Sequence, residues 1–172
     1  MRTRTRLVAR LGAGAAAGLA ALMWTALTAA AAMPPPNTGT WANASNMQWN
    51  CTATGPANTE LSCQFQGPAS CTETDPSGNV LGGCAVTLST GSATLLGCSG
   101  AGSGVFAYSP SVGAFATASV TISVNGGAAS IAGSWNDGTS SGTVSASFAF
   151  VCPLPTQSGA GRVNWSGQVN ES

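Results

Sequence analysis

Six cysteines and five carboxylates hold most of the reactive chemistry of this 172-residue chain, which has no histidine and no lysine. Without an imidazole or an amine there is no Ser-His, Cys-His or Ser-Lys nucleophile and no Schiff base, and no Gly-x-Ser-x-Gly elbow occurs. Carboxylates alone remain. Glu60, Glu73, Asp75 and Asp137 are of the type that serves as acid and nucleophile in a glycosidase, but they are scattered and read as solvated turn residues. No catalytic residue is assigned.

The cysteines, Cys51, Cys63, Cys71, Cys84, Cys98 and Cys152, include no Cys-x-x-Cys pair and have no histidine to join them, so disulfides are expected rather than a metal site. Fifteen pairings are formally open. Cys84 and Cys98 are placed symmetrically about Thr90-Gly91-Ser92 and are expected to bond across a hairpin, with Val86 facing Leu96 beside them. Cys51 and Cys63 flank the Gly55 to Asn58 turn and suggest a second bond. Asp75-Pro76-Ser77-Gly78-Asn79 carries oxygens of the kind calcium takes, yet its Pro and Gly make an ordinary β-turn. No metal and no cofactor is expected.

Aromatic side chains hold the one hint of a ligand, because sugars and other flat neutral molecules stack on exposed rings while amides supply hydrogen bonds. Trp49 shares parity with Met47 and Cys51, and Trp165 with Val163 and Val169, which places both in the core. Trp41, near the start of the domain, Trp135, beside the Asn136-Asp137-Gly138 turn, and Tyr108 are the ligand-binding candidates.

The elements that would position these groups are strands. Ala118, Val120, Ile122 and Val124 alternate with hydroxyl residues, Asn125-Gly126-Gly127 interrupts, and Ala129, Ile131 and Trp135 resume, which predicts a tight hairpin. Asn136-Asp137-Gly138 then turns the chain into a strand with Val144, Ala146, Phe148 and Phe150 on one face. Met47 to Cys51 and Leu61 to Phe65 form another alternating pair. The run from Gly97 to Gly104 has no helix behind it to offer a phosphate site and is expected to be a loop. Short strands with polar outer faces and frequent turns describe an all-β domain, a single antiparallel sandwich (Ig-like or jelly-roll-like) or a barrel. The sandwich is the first expectation.

Arg2, Arg4, Arg6 and Arg10 precede an uncharged Leu/Ala/Gly run ending near Ala32, the pattern of a signal peptide cleaved after Ala-x-Ala. The competing reading is an uncleaved anchor, disfavoured because the run is mostly Ala and Gly. The first cysteine, Cys51, lies too far along for lipidation. Residues 1–32 are therefore assigned as signal, 33–38 as a Pro-rich linker and 39–172 as one β domain. Beyond the signal, Arg162 stands alone against five carboxylates, a net charge of about −4. One cation does not neutralise a run of phosphates, so nucleic acid and anionic membrane surfaces are not expected partners. An Arg-only, Ala/Gly-rich composition suggests bacterial GC-rich coding. The reading is an exported, non-catalytic, disulfide-bonded domain of the cell envelope or extracellular space, binding a neutral glycan or another envelope protein. A carbohydrate-binding module is the alternative, and a carboxylate glycosidase the weaker one.

Overall fold

The computed structural model describes residues 37–55, 59–154 and 157–172. The expected signal peptide and residues 33–36 of the linker lie outside them. The described residues form eight strands, β1 (Thr38–Thr54), β2 (Glu60–Thr74), β3 (Val80–Leu96), β4 (Ser99–Ser109), β5 (Ala116–Asn125), β6 (Ala128–Asn136), β7 (Ser141–Ala149) and β8 (Gly159–Glu171). Each pairs antiparallel with the next, and β8 returns to pair with β1, giving a closed barrel. The barrel alternative therefore holds and the sandwich is corrected. All connections join sequence neighbours, so no strand crosses from one sheet to another, and closure leaves no unpaired edge.

Period-two alternation supplies the core. On β5 each of Ala116, Ala118, Val120, Ile122 and Val124 points inward, and on β7 Val144, Ala146 and Phe148 do the same. Their neighbours Thr117, Ser119, Thr121, Ser123, Thr143, Ser145 and Ser147 face out. The outer wall there presents hydroxyls, the reverse of the apolar band that a lipid-facing barrel carries. No helix among the described residues is long and apolar enough to cross a membrane.

An eight-stranded barrel has an interior just wide enough for side chains to fill, and here bulk on one strand is matched by its absence on the next. Three indoles lie against glycines that are their direct partners across the ladder: Trp41 opposite Gly167, Trp49 opposite Gly161 and Trp135 opposite Gly142. A Cβ added at Gly167 would fall 2.4 Å from the Trp41 ring, and at Gly161 2.9 Å from Trp49 Nε1. Glycine thus makes room for tryptophan. The rings go on to meet one another, with Trp41 and Trp165 edge-on at 5.1 Å and Trp49 and Phe150 at 5.3 Å between centroids.

The Asn125-Gly126-Gly127 hairpin forms as expected, with the positive φ angles of 59° and 85° on the two glycines rather than on the asparagine. The Asp137 turn also forms, its carboxylate accepting from the backbone N–H of Thr139 and Ser140 at 2.8 and 2.7 Å.

Two expectations for the middle of the chain are overturned together. Gly91 is no turn: β3 runs straight through it, and the register with β4 slips between Leu88 and Ser92. Inward parity changes from Val86 and Leu88 to Ala93 and Leu95 across that bulge, and a bulge of this kind imitates a turn in the sequence pattern. The chain instead reverses at Gly97 and Cys98, both with positive φ, and the expected loop after it is β4. Cys84 and Cys98 consequently lie at opposite ends of β3. The disulfides are Cys51–Cys63, Cys71–Cys84 and Cys98–Cys152, so the Cys84–Cys98 expectation is corrected and the Cys51–Cys63 one holds. The first two join partners directly opposite on adjacent strands, whereas the third ties the β3–β4 turn to the segment before β8.

Candidate functional site

The three aromatic candidates are not on the surface. Trp41, Trp135 and Tyr108 are 5%, 8% and 1% exposed. Trp135 is drawn inward by its glycine partner although it stands beside a turn, and its indole N–H is directed to Ser140 Oγ at 3.3 Å. No stacking platform is built from them. Trp49 and Trp165 are in the core as expected.

The outer wall offers a different arrangement where β8, β1 and β2 run side by side. Gln48 stands opposite Gln66 and Asn50 opposite Gln64 across the β1–β2 ladder, while Arg162 on β8 is the partner of Gln48 on the other side. These five outward side chains, with Trp49, Ala160 and Gly161, line a groove of about 450 Å³. Inward Met47, Trp49, Cys51, Cys63 and Phe65 fix the strands beneath them, and period two then forces the amides outward. Each amide both donates and accepts, and the guanidinium adds donors only. The row can therefore both donate to and accept from a polar molecule laid along it. In the sequence these residues appear only as the polar half of an alternation; their assembly into one row depends on strand register.

The end of the barrel that carries both described termini holds the second concentration of chemistry. Glu73, at the end of β2, points inward and is 0% exposed. Four donors meet it: Asn37 Nδ2 at 3.3 Å and the Tyr108 hydroxyl at 3.2 Å on Oε1, and Ser111 N at 2.7 Å together with Ser111 Oγ on Oε2. The β4–β5 connection is thus drawn over the opening. Its Ser111 also packs where β3 has a glycine, since a Cβ at Gly82 would meet Ser111 Cβ at 2.8 Å. Glu171, at the end of β8, points into the same end and is 4% exposed; its backbone N–H donates to Asn37 O at 2.8 Å. Burial, then the charge of Glu73, then that of Asp137, push the Glu171 carboxyl above its ordinary value. Burial and the neighbouring Glu73 likewise push the Tyr108 phenol up.

The remaining carboxylates do not join this pair in a cleft. Glu60 is exposed at the opposite end of β2, and Asp75 and Asp137 each cap their own turn, which holds their carboxyls below the usual value. Among the described residues no three His, Cys, Asp or Glu side chains gather as a metal site. Glu171 is a residue that sequence reasoning missed. It closes an alternation with Trp165 and Val169, but a charged residue at an inward position is assigned outward by any hydropathy pattern. No family model, no curated protein and no solved structure matches the chain.

Proposed function

We propose that this protein is an exported, non-catalytic domain of the cell envelope or extracellular space that binds a neutral polar partner, a glycan chain first, along the amide-lined groove of β8, β1 and β2. The facing pairs Gln48/Gln66 and Asn50/Gln64 carry this reading. They set four amides in a row with spacing fixed by two paired strands, which is the chemistry that hydrogen-bonds sugar hydroxyls without ion pairs. Export is supported by the basic-then-apolar N-terminal pattern, and the three disulfides are consistent with an extracytoplasmic location. A non-catalytic role is supported by the absence of histidine and lysine and by the burial of Glu73 and Glu171 away from the exposed Glu60, Asp75 and Asp137. A stacking-based module using Trp41, Trp135 or Tyr108 is set aside because those rings are interior.

A polysaccharide pull-down and glycan array at low and high salt, run with the parent and with a Gln48→Ala/Gln66→Ala variant, test the proposal. Retention that is nearly independent of salt and lost in the variant is expected, since screening acts on charges and leaves amide hydrogen bonds largely unchanged. Equal retention by parent and variant would move the partner to another face.

A further inference from the structure

The three disulfides differ in what covers them. Cys51–Cys63 and Cys71–Cys84 join residues directly opposite on adjacent strands, and all four residues are buried. A reagent reaches those sulfurs only if the β1–β2 or β2–β3 ladder parts. Cys98 and Cys152 are half-buried at the end of the barrel away from the described termini, and neither lies within a strand. Cys98 is the second residue of the two-residue β3–β4 turn and has a φ of 63°, a position that hairpins ordinarily give to Gly or Asn. The bond is therefore carried at a hairpin tip instead of on a pleated face. Leu96, Val151 and Leu154, each within two residues of one of these cysteines, are exposed, and residues 95–98 and 150–154 carry no charge. The Pro153 carbonyl oxygen lies 3.6 Å from Cys152 Sγ and 3.9 Å from Cys98 Sγ, so a thiol formed at either position has an acceptor in place. Ties other than the bond also hold this segment: Phe150 N–H donates to Gly127 O at 2.9 Å, and the Phe150 ring packs on Trp49 and Phe65 at 5.3 and 5.5 Å between centroids.

From this placement we infer that Cys98–Cys152 is a thiol–disulfide exchange site, and that its co-substrate is a protein dithiol of the Cys-x-x-Cys class whose apolar contact surface covers Leu96, Val151 and Leu154. Access sets the order of reaction in the folded chain, because exchange requires a thiolate to reach a sulfur. Cys152 is the sulfur attacked, since two of the three exposed aliphatic side chains flank it. The partner's thiolate bonds to Cys152 Sγ, the Cys98–Cys152 bond breaks, and its electron pair leaves on Cys98 Sγ, which takes a proton from water. The partner's second thiol gives up its proton and attacks the partner sulfur of the mixed disulfide, expelling the Cys152 thiolate, which takes up a proton in turn. The disulfide of this chain is thereby reduced to two thiols, and the partner's dithiol is oxidised to a disulfide. A small thiol needs only the sulfur. A protein must seat a surface around it, and the uncharged, aliphatic border of this bond suits an apolar one.

The test uses the full chain, oxidised and folded, with dithiothreitol and reduced thioredoxin as probes. Samples taken during reduction are blocked with N-ethylmaleimide and mapped by peptide mass. With dithiothreitol, label is expected on Cys98 and Cys152 about tenfold sooner than on Cys51, Cys63, Cys71 or Cys84, while far-ultraviolet circular dichroism keeps its strand signal. Thioredoxin is expected to give the same two labels, and a thioredoxin whose second cysteine is replaced by serine to remain attached at Cys152. Leu96→Ser/Leu154→Ser, at two exposed positions, should slow thioredoxin roughly tenfold and leave the dithiothreitol rate unchanged, because only the protein reagent covers those side chains. Label that appears first on any of the buried four cysteines, or on all six together, overturns the exchange site. A double variant that slows both reagents equally, or neither, overturns the apolar contact with a protein dithiol.

Discussion

Trp135 on β6 lies directly opposite Gly142 on β7, and a Cβ placed on that glycine would fall 2.1 Å from the indole Cη2. The ring fills the volume that a side chain at position 142 would occupy, so the two positions behave as one packing unit. Neither can change alone.

Gly142→Ala is therefore expected to destabilise the barrel by about 3 kcal/mol through overpacking, because the ring must leave its place or the strands must part. Gly138→Ala is the comparison: nothing stands near its Cβ, but its φ of 83° costs a side chain about 1 kcal/mol. Urea unfolding measures both. Tryptophan emission distinguishes them, since only Gly142→Ala should shift toward the red as Trp135 gains water.

Titration of Glu171 at the buried end contributes to the pH dependence of stability. The groups facing Glu171 are Glu73, Tyr108 and, from the next connection, Asp137. With its folded pKa raised above 4.5, Glu171 binds its proton more tightly folded than unfolded. The stability it contributes is complete below that value and is lost as pH rises through the raised one. Asp75 and Asp137, with lowered values, contribute in the opposite direction, from 3.8 upward, and lose their contribution as pH falls. Thermal unfolding should give a higher Tm at about pH 5 than at about pH 8. Glu171→Gln should flatten that decline. The single tyrosine adds an independent readout: ultraviolet absorbance should show no tyrosinate until alkali unfolds the chain.

Among the disulfides, Cys98–Cys152 spans 54 residues and the other two span 12 and 13. Loop-closure entropy assigns about 4 kcal/mol to the long one and about 3 kcal/mol to each short one. Replacing Cys98 and Cys152 together by Ala should therefore lower the urea midpoint further than replacing Cys71 and Cys84. Peptide mapping without reduction should recover Cys98 linked to Cys152, and never to Cys84.

What the sequence determined by itself follows from local alternation. Strand type, the inward parity of Ala118 to Val124 and of Val144 to Phe148 and the turns at Gly126 and Asp137 all depend on residues close in the chain, where the steric rules of a pleated strand act directly, while the pairing of all six cysteines follows from their even number without a histidine beside them. Cys51–Cys63 belongs to this class because a short hairpin suffices to bring its halves together.

Tertiary structure decided whatever depends on a partner strand. The bulge at Ser89 and Thr90 reversed the parity that a turn at Gly91 had explained, and with it the partner of Cys84. Trp41 and Trp135, with small or turn-forming neighbours in sequence, went inward because Gly167 and Gly142 stand opposite them. The pairs Gln48/Gln66 and Asn50/Gln64 span the same hairpin as Cys51–Cys63, but Arg162 joins their row only through the pairing of β8 with β1, strands distant in the chain. Glu73 and Glu171 meet for a reason no hydropathy pattern contains: closing β8 onto β1 brings the last inward position of one long strand beside the last inward position of another.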